Sequence, residues 1–396
     1  MKDKRLVLIS LFLFLGIMQS KASDQPTNVL YDAVLNDKNS YPELELNGVA
    51  STFTADGLQI TGKENVIRLN KYYSLGERTI RYHVKFSPDA VAVFLSSTGD
   101  FKVLVNIPEK TVSVETNPVS LKKIDFINPD GEYFVEIYHK YQTNIVRVVD
   151  AFTGETGDIE LTNDGTGGTG AGIVNSGFYV GSQHDYYCFG LQKGTSLLVK
   201  QISVTAGLYD LNLLIYGDSI TEPEGYYPTS DFASSWTQLV IKNIKGKVMC
   251  SGRGGCTINE VLERIKNELP YVKAKYVMVT IGTNGGNTED NLSELVEYII
   301  SQGSIPILNN IPANESGTQV ESNKLIQKVR GKYNINGCKF DLPTSLGNDG
   351  IEVDKTTMYF EDYSGSTGWQ IYHHPNVKGA GLMYDRTLTD TPEIYE

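Results

Sequence analysis

Three apolar runs in the second half of the chain each end in a short segment whose residue types suit acyl transfer. Leu213-Leu214-Ile215-Tyr216 leads into Gly217-Asp218-Ser219-Ile220-Thr221. A glycine permits a sharp turn after a buried strand, which projects the Ser219 hydroxyl into a strand-end crevice. A second run ends in Ser251-Gly252-Arg253-Gly254-Gly255-Cys256-Thr257, just ahead of a helical pattern. Backbone N–H groups at a helix N-terminus suit an oxyanion, and a glycine there lets a substrate approach closely, although a tight turn would favour glycine too. The third run ends in Ile281-Gly282-Thr283-Asn284-Gly285-Gly286, where Asn and Gly also serve turn geometry. A serine nucleophile needs a base that is neutral near pH 7, and histidine is the usual one. Of five histidines only His373 and His374 lie in this half, within His373-His374-Pro375-Asn376-Val377-Lys378-Gly379.

In this order, the four segments resemble the blocks of the SGNH (GDSL) hydrolase superfamily. The resemblance covers residues 212 to about 385, under half of the chain. It implies Ser219 as nucleophile, Gly255 as a backbone oxyanion donor with Gly254 as the alternative, Asn284 as the side-chain donor, and His374, immediately before Pro375, as the base. One position departs from the family. An Asp usually stands three residues before the catalytic His, and here that residue is Ile371; counting from His373 gives Gln370. Asp354, Glu361 or Asp362 could substitute, with Asp362 ranked first on proximity. Otherwise a backbone carbonyl orients the ring, or the protein is an inactive relative.

These residues need a scaffold that brings strand ends together. From Leu208 onward, strand patterns at Leu213–Tyr216, Lys247–Cys250, Tyr276–Ile281, Ile305–Asn309 and Cys338–Asp341 alternate with amphipathic helices. Ile258, Val261, Leu262, Ile265 and Leu269 share one helical face behind a Thr257/Glu260 capping box, and Leu292, Leu295, Val296, Ile299 and Ile300 repeat the stripe. The pattern predicts an α/β three-layer sandwich with a five-stranded parallel sheet over residues 208–396. Residues 23–207 read instead as short strands, at 79–86, 101–107, 110–116, 133–138, 144–150 and 196–205, which predicts an all-β sandwich. This half resembles, more loosely, the jelly-roll modules found beside glycan-acting esterases. Its Gly-rich run at 165–172 lacks a following Lys and reads as a surface loop. A boundary near 208 predicts that residues 208–396 fold and act alone.

Residues 1–22 read as a secretory signal peptide: Lys2, Lys4 and Arg5, an apolar run from Leu6 to Met18, and Ser20-Lys21-Ala22. That predicts a secreted or periplasmic protein with no stable membrane span. The formal net charge is −12 with a pI near 5.0, which disfavours nucleic acid and anionic membranes as partners. Cys188, Cys250, Cys256 and Cys338 lack zinc-ligand spacing and read as buried thiols or as one bridge near Cys250 and Cys256. With neither metal nor organic cofactor implied, the expectation is an exported serine esterase removing acyl groups, most simply acetyl, from carbohydrate. Alternatives are a lipase, lysophospholipase or thioesterase of the same fold, or a glycan-binding protein whose hydrolase half is degenerate.

Overall fold

The structure is a computed structural model and describes residues 27–99, 101–115, 119–129, 131–162, 186–361 and 370–396. Residues 1–22, expected to be a signal peptide, the Gly-rich run at 165–172 and Asp362 lie outside the described residues, as do the side chains of Glu361, Gln370 and Ile371.

The first half is an antiparallel sandwich of the jelly-roll type, built because its strands carry a two-residue period. In Glu77–Phe86 every second residue, from Arg78 through Ile80, Tyr82 and Val84 to Phe86, points inward and is buried. That strand sits between Tyr133–Lys140 and Ser196–Ala206 in one sheet, which continues to Thr143–Asp150 and Thr156–Thr162 at one edge. The facing sheet runs through Thr111–Val114, Lys102–Asn106, Val91–Ser96, Tyr187–Lys193 and Asn65–Leu69. The Tyr82 ring bridges the two layers, 4.8 Å from Phe94 and 5.4 Å from Phe189 between centroids. All six strand expectations therefore correspond to observed strands, within a few residues at their ends.

The second half holds a parallel sheet in the order Val248–Gly252, Leu211–Gly217, Ala274–Thr280, Ile305–Leu308. Successive residues of Leu211–Gly217 serve opposite faces. Leu214 and Tyr216 join the core under helices Ile258–Val272, Glu289–Ser301 and Gln319–Tyr333, while Leu213 and Ile215 join that of Trp236–Asn243 and Val377–Asp390. The Thr257/Glu260 capping box is present. Ile300, assigned to the second apolar stripe, is instead exposed.

The sheet has four strands, not five. At the expected fifth, pairing is limited to one bridge, between Asn310 and Lys339, with backbone bonds from Leu308 N–H to Asn336 O at 3.0 Å and from Asn310 N–H to Cys338 O at 2.9 Å. A side chain takes the backbone donor that would extend the ladder: Cys338 N–H donates to Asn309 Oδ1 at 2.8 Å.

The two halves share one apolar core, in which Leu30, Leu75 and Ala206 pack in the same cluster as Met249, Ile265 and Leu269. Polar contacts cross the same junction. Gly76 N–H donates to Cys250 O at 2.7 Å, Ser74 N–H to Glu268 Oε1 at 2.6 Å and Gln142 Nε2 to Tyr227 O at 2.8 Å. All four cysteines are buried and none is joined in a disulfide, which decides between the two readings of their state. Among the described residues, no helix is long and apolar enough to cross a membrane.

Candidate active site

The strand Leu211–Gly217 is buried almost throughout and stops because the chain folds back on Asp218. The N–H groups of Thr221 and Glu222 both donate to Asp218 O at 3.1 Å, and Ile220 N–H donates to Asp218 Oδ1 at 3.0 Å. Glycine is needed at 217, where a Cβ would sit 2.1 Å from Thr221 Oγ1 and 2.6 Å from Thr280 O. This turn presents Ser219 at the carboxyl end of the sheet, where parallel α/β folds place their sites.

His374 reaches the same point from the far end of the chain. Its Nε2 lies 2.7 Å from Ser219 Oγ. Three contacts fix the His-Pro segment. Tyr227 donates its hydroxyl to Pro375 O at 2.7 Å, Asn376 N–H donates to Thr357 O at 3.0 Å, and Asn376 Oδ1 caps the last long helix by accepting from Gly379 N–H at 3.0 Å. The His374 ring packs against Tyr226 and His373, each 4.5 Å away between centroids. Burial, then the nearby charge of His373, holds the His374 imidazole well below its ordinary value of 6.5. A neutral ring facing a serine hydroxyl is the protonation state a general base requires.

The loop after Val248–Gly252 is fastened to the nucleophile turn. Arg253 N–H donates to Gly217 O at 3.2 Å, and Gly254 N–H donates to Glu222 Oε2 at 2.5 Å. The Glu222 contact occupies the N–H of Gly254, and Gly255 follows it with a φ of +74. Asn284 is exposed on the loop after Ala274–Thr280, and its Nδ2 donates to Cys256 O at 2.9 Å. That bond uses one amide hydrogen and orients the other.

Buried charge surrounds the turn. Arg264 is fully buried and donates to Ser251 O and Gly217 O, both at 2.8 Å, thereby clamping the ends of two strands. Burial raises the Asp218 carboxyl to about 7, against the pull of the Ile220 N–H and the neighbouring Thr283 hydroxyl. Burial also raises Glu222 and Glu224, with Arg253 opposing it at Glu222. Sequence reading passed over Arg264 and Glu222. Arg264 had a visible signal, since it stands, with Glu268 four residues on, beside the apolar stripe of Val261, Ile265 and Leu269.

Of the carboxylates weighed as substitutes for the missing Asp, Asp354 is engaged elsewhere, accepting from Thr356 N–H at 2.8 Å. Among the described residues Glu315 reaches the double histidine, its Oε1 lying 2.8 Å from Nδ1 of His373, the neighbouring ring. Among the described residues, no group of three His, Cys, Asp or Glu side chains is placed to hold a metal ion.

No family model and no curated protein matches this chain. Among solved structures, it is similar to a GDSL-like lipase from Bacteroides thetaiotaomicron, with 16% identity and TM-score 0.34, over 45% of this chain and 85% of that one. It is also similar to the VIP36 exoplasmic/lumenal domain in its Ca2+/Man3GlcNAc-bound form, with 10% identity and TM-score 0.35, over 47% of this chain and 92% of that one. Arcelin-5, a lectin-like defence protein from Phaseolus vulgaris, aligns with 10% identity and TM-score 0.33, over 44% of this chain and 96% of that one.

Proposed function

We propose that this chain is an SGNH-type serine hydrolase that cleaves carboxylic esters, and that it acts outside the cytoplasm on acylated, most simply acetylated, carbohydrate. The observation that carries the reading is the 2.7 Å contact between Ser219 Oγ and His374 Nε2 at the carboxyl end of a parallel sheet, with the ring held neutral by burial.

In this mechanism His374 Nε2 takes the proton of Ser219 Oγ as the oxygen bonds to the ester carbonyl carbon. The N–H groups of Ser219 and Gly255 and the oriented amide of Asn284 stabilise the negative oxygen. The tetrahedral intermediate collapses by breaking the bond to the alcohol oxygen, which takes the proton from His374. Water, deprotonated by the same ring, then releases the acid and restores Ser219.

Hydrolysis of 4-nitrophenyl acetate by the wild-type protein, and its loss in a folded Ser219→Ala variant, tests the reading. A folded Ser219→Ala protein that retains most of its activity would sink the serine mechanism.

A further inference from the structure

The loop after Ile305–Leu308 carries a knot of side chains with no part in the mechanism above. Asn314 Oδ1 accepts from Ser316 N–H at 3.1 Å and from Ser316 Oγ at 2.7 Å. This turn holds Glu315 against His373. The desolvation of Glu315 works to raise its carboxyl, but the His373 hydrogen bond, backbone N–H groups and the charge of His373 together outweigh it and the group stays below its ordinary value. The carboxylate is therefore ionised at neutral pH and fixes the His373 ring by accepting at Nδ1, which leaves Nε2 as that ring's other polar atom. Both side chains are partly open to solvent, at 30% for His373 and 37% for Glu315.

They face a small cavity. Its volume is about 260 Å³, and its walls are Thr283, Asn284, Asn314, Glu315, Ser316 and His373. Every one of these side chains has a hydrogen-bonding group. An acyl chain lodged here would bury an ionised carboxylate and several amide and hydroxyl groups with nothing to pair them, which is strongly unfavourable. A polyhydroxy ring meets the same walls with matching donors and acceptors. The cavity also adjoins the reacting atoms, because Asn284 is the proposed oxyanion donor and the His373 ring packs on that of His374.

We propose that Glu315 and His373 form a hydroxyl-recognition subsite for the sugar alcohol of the ester, with the Glu315 carboxylate accepting from a sugar hydroxyl next to the acylated oxygen. The inference rests on the ester-hydrolase reading and deepens it by naming the specificity-determining pair. A subsite built on hydrogen bonds discriminates against substrates that lack the matching hydroxyl. Triacylglycerol and acyl-thioester substrates carry no hydroxyl beside the acylated atom and gain nothing there.

The test compares mixed monoacetates of methyl β-xyloside with 4-nitrophenyl acetate in wild type, Glu315→Gln and His373→Gln. Loss of a hydrogen bond to a charged group is expected to lower kcat/KM on the glycoside by about 10- to 100-fold more than on the aryl ester, mainly through KM. Calorimetric titration of the glycoside into Ser219→Ala, with and without Glu315→Gln, reads binding apart from chemistry and should show a Kd at least tenfold weaker in the double variant. Equal losses on both esters, or an unchanged Kd, overturn the subsite. If wild type cleaves neither ester and binding still depends on Glu315, the hydrolase reading fails and the subsite stands.

Discussion

Glu222 Oε2 accepts the N–H of Gly254 at 2.5 Å, so the residue three places after Ser219 fixes the residue just before Gly255. The carboxylate thereby sets the spacing between the Ser219 turn and the loop that bears Gly255, the proposed backbone oxyanion donor. Glu222 is fully buried, and Arg253 Nη1 lies 3.7 Å from its Oε1. Glu222→Ala should lower kcat by up to ~10²-fold with a smaller change in KM, the scale on which misplacing a catalytic group costs rate. Glu222→Gln keeps an acceptor for Gly254 and should recover most of that loss. Steady-state kinetics on variants shown to be folded by circular dichroism decide it, and a Gln variant as slow as the Ala variant would mean that the charge, and not the tether, matters.

Asn284 is held by Cys256 O through one amide hydrogen, which orients the amide without substrate. Asn284→Ala should therefore lower kcat by ~10²–10³ with little change in KM, as expected for a donor aimed at charge that develops in the transition state. A change confined to KM would make Asn284 a ground-state binding residue.

The depressed His374 has a definite pH signature. Its folded value lies below 6.5, so the ring stays neutral and competent as pH falls through 6.5 and is lost as a base only further down. The acid limb of kcat/KM on 4-nitrophenyl acetate should thus fall well below pH 6.5. The stability term runs with the same sign: the unfolded chain takes up a proton near ~6.5 that the folded ring refuses, so this contribution fades as pH drops below that value. An acid limb at or above 6.5 would contradict the burial of the ring.

The continuous core makes the sandwich part of the support of the parallel-sheet half. Cutting at 208 would expose the face of Met249, Ile265 and Leu269, and would remove Ser74 and Gly76 from Glu268 and Cys250 O. Residues 208–396 alone should be insoluble or should lack a cooperative thermal transition, and should not cleave 4-nitrophenyl acetate, contrary to what a boundary read from pattern alone predicts. A soluble, active fragment would show that the core closes without the sandwich.

The sequence by itself determined the elements whose pattern is local. The two-residue period of Glu77–Phe86 and the capped stripe from Ile258 depend on neighbours a few residues away, so they could be read directly. The types and order of the segments around Ser219, Gly255, Asn284 and His374 were legible for the same reason, and the parallel sheet is what sets Ser219 against His374 across 155 positions. What only the tertiary structure decided depends on distant groups competing for the same partners. The expected fifth strand gave way where Asn309 captured the Cys338 N–H, and that capture has no local pattern. Glu315 meets His373 from 58 positions away, and Glu222 meets Gly254 from 32, because loops at the ends of parallel strands converge whatever their separation in the chain. The shared core arose likewise: apolar periodicity shows that a face must be buried, and only packing shows against what.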